Sequence, residues 1–125
     1  MRKIVLLMAL VFAFTTIQAQ MGAMQSTHYK RCRISEPNRC VHIYSDVNII
    51  FVSQERIIIY ENENEVYDLH VMEFHYNQGV PLLICKNAED SGEEISLTVY
   101  KDWVKIIIEK QNLLLEVYID EIVKY

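Results

Sequence analysis

From residue 41 onward, water-avoiding side chains recur at every second position, and that period is compatible with few folds. Val41, Ile43, Val47, Ile49 and Phe51 share one parity. Ile95, Leu97 and Val99 alternate with Ser96, Thr98 and Tyr100, and Val104, Ile106 and Ile108 alternate with Trp103 and Lys105. Side chains two apart on an extended chain lie on the same face, so each run offers one apolar face and one face for water. The runs are rich in Ile, Val, Tyr and Leu, as half-buried strands are.

Polar turns separate the runs. Gln54-Glu55 joins Val47–Ser53 to Arg56–Glu61 as a hairpin, and Asn62-Glu63-Asn64-Glu65 turns the chain again. Asn77-Gln78-Gly79, residues 87–93, Lys101-Asp102 and Lys110–Asn112 supply the later reversals, with residues 87–93 as the one clear loop. Val41–Ser45 and Val47–Ser53 read as one long strand or as two short ones broken near Asp46. Pro81 donates nothing to a ladder, which places the start of its strand at an edge or rim. In Val66–Tyr76 the apolar parity changes: Tyr67, Leu69 and Val71 are odd, whereas Met72, Phe74 and Tyr76 are even. A strand changes faces only by inserting a residue, so a β-bulge is expected near Val71-Met72. Residues 113–125 fit a strand through Leu113, Leu115, Val117 and Ile119, and a helix face through Leu115, Tyr118, Ile119 and Ile122; the strand is preferred. The expected fold is all-β: an antiparallel meander of seven to eight short strands, forming a small barrel or a folded-over sheet.

Residues 1–19 have a different character. Met1-Arg2-Lys3 precedes an apolar run of eleven residues from Ile4 to Phe14, and Ala19 offers a small residue for cleavage, with Ala23 as a second candidate. This is the layout of a signal peptide, and the run is well short of the ~20 apolar residues of a membrane-spanning helix. No cysteine stands near the cleavage position to take a lipid. The expectation is an exported protein, periplasmic or secreted, with no integral membrane segment after processing. About 106 residues then remain, enough for one domain over 41–125 behind a basic arm over 20–40.

The net charge of −5 conceals an asymmetry. Residues 20–40 hold Lys30, Arg31, Arg33 and Arg39 against Glu36, whereas residues 41–125 hold 6 basic and 16 acidic residues. An acidic body disfavours nucleic acid and suits solubility, or a protein partner with a basic surface. Three cysteines in an exported chain invite a disulfide. Cys32 with Cys40, eight apart, is the preferred pair, and would staple the arm around the turn-like run Ser35-Glu36-Pro37-Asn38; Cys40 with Cys85 is the rival. In the preferred pairing Cys85 is a small buried hydrophobe.

Chemistry-bearing patterns are sparse. No G-x-S-x-G, paired C-x-x-C or H-E-x-x-H occurs, so neither a catalytic residue nor a metal or cofactor site is assigned. Cys40 and His42 share a strand face that Cys32 could join, but the disulfide claims the same sulfurs. A bulge near Val71-Met72 would bring His70 and His75 to the polar face with Asp68 and Glu73; a solvated strand face explains them more simply than a metal or acid–base site. Glu61, Glu63, Glu65 and Asp68 crowd one turn without the spacing or glycine of a calcium loop, and Glu89–Glu94 forms a second acidic turn. Eight tyrosines and Trp103 fit cross-strand packing better than an exposed binding face.

As an architecture, residues 41–125 resemble small exported β-barrels of the lipocalin-like sort, although no G-x-W stands near the first strand. The resemblance leaves any ligand open. The expected role is a non-catalytic binding or accessory module of the cell envelope. The alternatives are a carrier of a small apolar ligand and an inhibitor or immunity-type protein that binds a basic partner.

Overall fold

The computed structural model describes residues 22–124, with the side chains of Ser91 and Lys124 left aside. The proposed signal peptide and cleavage at Ala19 lie outside the described residues. Among the described residues the fold is all-β, with a single 3-10 turn over Glu109–Gln111. Its eleven strands are β1 (Gly22–Ser26), β2 (His28–Arg33), β3 (Glu36–Ile43), β4 (Val47–Ser53), β5 (Arg56–Glu61) and β6 (Asn64–Asn77), then β7 (Val80–Asn87), β8 (Asp90–Val99), β9 (Trp103–Ile108), β10 (Leu113–Tyr118) and β11 (Glu121–Lys124). They form one open antiparallel sheet in the order β11-β1-β4-β5-β6-β7-β8-β9-β10-β2-β3.

Strands β4 to β10 are the expected meander. The strand number is higher than expected because the segment read as an arm, residues 20–40, carries β1, β2 and the start of β3. Thr27 alone separates β1 from β2, although the two strands lie toward opposite ends of the sheet. Both pair with the C-terminal strands in a single register: His28 is opposite Tyr118 in β2–β10, and Gln25 is opposite Glu121 in β1–β11. The two chain ends thus form one long bent ribbon. At the bend the Asp120 carboxylate accepts hydrogen bonds from the Thr27 N–H (2.9 Å) and hydroxyl (2.8 Å), and the Asp120 N–H donates to the Gln25 carbonyl (2.8 Å). Ala23, the second candidate cleavage position, is buried in β1 between Val123 and Ile50, so a cut there would remove residues from both ladders.

Two other expectations change. The loop at residues 87–93 contracts to the turn Ala88-Glu89, because β8 already begins at Asp90. The turn beside the disulfide is Ile34-Ser35, so Glu36, Pro37 and Asn38 lie in β3, an edge strand where proline is tolerated. Residues 113–118 and 121–124 are both extended, in keeping with the strand reading.

The expected bulge is present. The β6–β7 register shifts between Val71 and Glu73, leaving Met72 as the extra residue. Val71 is opposite buried Cys85 and Phe74 is opposite buried Leu83, so both stay on the core side despite their change of parity. Asn62-Glu63 and Gln78-Gly79 carry positive φ at both positions, as two-residue hairpin turns that match the strand twist do. Pro81 sits at the rim, one residue before the first β7–β8 pair, Leu82–Thr98.

One core cluster draws Met24 from β1, Phe51 from β4, Ile59 from β5, Cys85 from β7, Ile106 from β9 and Val117 from β10. A single cluster fed from strands so far apart in the order requires the sheet to curve around its apolar face. On the opposite face Cys32 and Cys40 are direct cross-strand neighbours and form a disulfide. It fastens the edge strand β3 to β2 and leaves Cys85 free and buried.

Closing so short a loop contributes about 2–3 kcal/mol by restricting the unfolded chain. The double variant Cys32→Ser/Cys40→Ser should lose about that much stability in urea unfolding, and a loss under roughly 0.5 kcal/mol would contradict this assignment.

Candidate functional site

Curving the sheet leaves a cavity of about 300 Å³ between β2 and β10 on one side and β5 and β6 on the other. Each wall residue follows from strand parity. In β10, Leu113, Leu115 and Val117 face the same way as buried Val104, Ile106 and Ile108, their partners in β9. In β5, Ile59 and Glu61 share that side, and a register shift between Ile59 and Tyr60 leaves Val66 as an extra residue beside Tyr67. In β2 the inward row is Tyr29, Arg31 and Arg33, opposite Val117, Leu115 and Leu113. The row starts buried and ends exposed, so it runs from the core to the cavity mouth.

The polar groups in this wall fall into two networks. Tyr29 donates its hydroxyl hydrogen to Glu61 (2.8 Å), and Ser45 donates to the same carboxylate oxygen (2.6 Å). Burial, followed by the bond to Glu61, pushes the Tyr29 phenol from 10.0 up to about 12. Nearby, Glu93 is 5% exposed and accepts from Asn87 (2.9 Å) and Gln111 (2.6 Å). Burial, then the Glu93 charge, raise the Tyr67 phenol. Glu93 belongs to the second acidic turn of the sequence, and its burial depends on amides six and eighteen residues away, which no local pattern shows.

A second feature crosses the outer face of β9, β10, β2 and β3. Trp103, Tyr118 and His28 are register neighbours. Tyr100 stacks on Trp103 at 4.4 Å, and His28 stacks on Tyr118 at 4.9 Å and on Tyr44 at 4.6 Å. His28 and His42 also share a ring-nitrogen hydrogen bond of 2.8 Å. The rings turn their faces to one another, so the row works as cross-strand packing, with Tyr44 left 76% exposed at its end.

The remaining sequence candidates are separated or engaged. His70, His75, Asp68 and Glu73 do share the polar face, since the bulge keeps Glu73 opposite Ile84 and His75 opposite Leu82. Asp68, however, is held by Arg56 through two hydrogen bonds of 3.0 and 2.9 Å, which lower its carboxyl value. Glu73 bonds His75 at 2.8 Å. Of the crowded carboxylates, Glu61 turns to the cavity and Asp68 to Arg56, while Glu63 and Glu65 remain exposed. Cys40 is committed to the disulfide, and His42 to His28. Among the described residues no three His, Cys, Asp or Glu side chains are placed to hold a metal ion. The Cys85 thiol, fully buried, is pushed up to about 12 by desolvation.

Two outcomes follow from these environments. A thiol whose ionisation is suppressed by burial does not react, so a thiol reagent should label no cysteine in the native protein and one after unfolding; rapid native labelling would contradict the packing around Cys85. Tyr29→Phe should cost about 1.5–3 kcal/mol near pH 8, the value of a hydrogen bond to a charged group. A phenol whose folded value is raised stabilises fully below pH 10 and loses that contribution as pH climbs through about 12. The stability gap between wild type and Tyr29→Phe, followed by urea unfolding, should therefore narrow from pH 10 to 12; a constant gap would count against the Tyr29–Glu61 bond. No protein-family model, curated protein or solved structure matches this chain.

Proposed function

We propose that this chain is an exported, non-catalytic binding module of the cell envelope that holds a small, largely apolar molecule in the cavity between β2/β10 and β5/β6. The carrying observation is the cavity itself: about 300 Å³, walled by Val47, Ile59, Ile106, Leu115 and Val117. Sites for small molecules are concave and mostly apolar, with a few convergent polar groups, and this size lies at the small end of their range. The supporting chemistry is negative in kind. The buried thiol is held protonated, and the histidine and carboxylate pairs on the outer faces are engaged with one another or with arginine.

The cavity holds roughly ten water-sized groups, which suits an eight-carbon chain. Burying such a chain at about 0.8 kcal/mol per methylene gives a gross gain near 6 kcal/mol, and the lost freedom of association reduces it, so the Kd of an uncharged probe is on the order of 10⁻⁴ M or weaker. Titration calorimetry with octan-1-ol should show saturable binding in that range. Leu115→Trp, which fills the cavity from its half-buried wall, should weaken that binding at least about tenfold. Absence of saturable binding, or an unaffected Leu115→Trp variant, would overturn the proposal.

A further inference from the structure

We infer that the molecule held in the cavity is an amphipathic anion, its apolar tail inside and its acid group received at the mouth by the guanidinium of Arg31. The inference rests on the cavity reading above and adds the chemistry of the head group. β2 parity puts Arg31 on the inward side, two residues beyond buried Tyr29 and opposite Leu115. Of the other basic side chains among the described residues, Lys30 pairs with Glu116, Arg39 with Glu36, Arg56 with Asp68 and Lys110 with Asp90, whereas Arg33, Lys86, Lys101 and Lys105 form no ion pair. The Arg31 side chain has no ion pair and no hydrogen bond among the described residues, and it is the one cation in the cavity wall, so its five donors are left to water at the opening.

The surroundings reinforce that sign. Arg33 follows Arg31 on the same face, and Arg33 and Arg39 line a cleft contiguous with the mouth through Arg31, Gln111 and Leu113. Three of the four basic residues of 20–40, Arg31, Arg33 and Arg39, thus gather at one opening of an otherwise acidic protein, offset there by Glu36, while Lys30 faces outward to Glu116. A field of one sign at a cleft raises the local concentration of ligands of the opposite sign, and guanidinium pairs well with planar carboxylates. The other charged group in the wall, Glu61, already accepts hydrogen bonds from Tyr29 and Ser45, which leaves Arg31 as the group awaiting a partner.

Three eight-carbon probes distinguish the head groups: octanoate, octan-1-ol and octyltrimethylammonium, titrated calorimetrically at pH 7 and low salt into the protein as the cell processes it. Octanoate should bind about tenfold tighter than octan-1-ol, and the ammonium more weakly than either. Arg31→Gln, at an exposed position, should abolish the preference, so that the variant binds octanoate no more tightly than it binds octan-1-ol. Arg31→Lys should restore part of the preference. Octan-1-ol binding with no octanoate preference, or a preference that survives Arg31→Gln, would overturn the head-group assignment and leave the cavity reading standing. Tightest binding of the ammonium would overturn the assignment in favour of Glu61. Failure of all three probes to bind would overturn both.

Discussion

The structure depends on one ladder, in which β1–β2 runs antiparallel to β10–β11 without change of register across a bend. Because the register is preserved through Thr27 and Asp120, the two chain ends behave as one ribbon that leaves one end of the sheet and enters the other. The Asp120 carboxylate satisfies the Thr27 amide and hydroxyl where the regular ladder is interrupted. Curvature of the sheet, a single shared core and a cavity between distant strands all follow from this ribbon, since it ties β4 on one flank and β9, through β10, on the other to the same short segment.

Edges are the weakness of an open sheet, and here each is handled differently. β3 carries Pro37, an Arg39–Glu36 pair and a disulfide to its neighbour, features that discourage pairing with another chain. β11 is short, and its single ladder is with β1. Inside, the wall charges and phenols are arranged in closed hydrogen-bonded sets, and no deeply buried side-chain nitrogen or oxygen among the described residues lacks a partner. Arg31 stands apart from that economy because it lies at the mouth, where water serves it until a ligand does.

Much of this was legible from residue types and spacing. The meander from β4 to β10, the break near Asp46, the Met72 bulge and the Cys32–Cys40 pair each rest on a local pattern: parity, a turn, a change of phase, or a short loop. The bulge reading also placed His70 and His75 on one face correctly, which simple parity would have separated. β1 and β2 were not legible. β2 has Tyr29, Arg31 and Arg33 inward and His28, Lys30 and Cys32 outward, so neither face looks apolar, and its inward arginines reflect a cavity mouth that no single segment reveals. The cavity itself was invisible for the same reason: its wall comes from β2, β4, β5, β6, β9 and β10. The acidic turns misled by composition, since Glu61 and Glu93 face inward to specific donors while their sequence neighbours face water.

Cross-strand backbone contacts measured by nuclear Overhauser spectroscopy test the ribbon most directly. Contacts between β1 and β11 about Gln25–Glu121 and between β2 and β10 about His28–Tyr118 should appear together, at the same offset on both sides of Thr27. If the first set is missing, or the two sets differ by even one residue, the chain ends do not form one ribbon, and the curved sheet with its cavity loses its foundation.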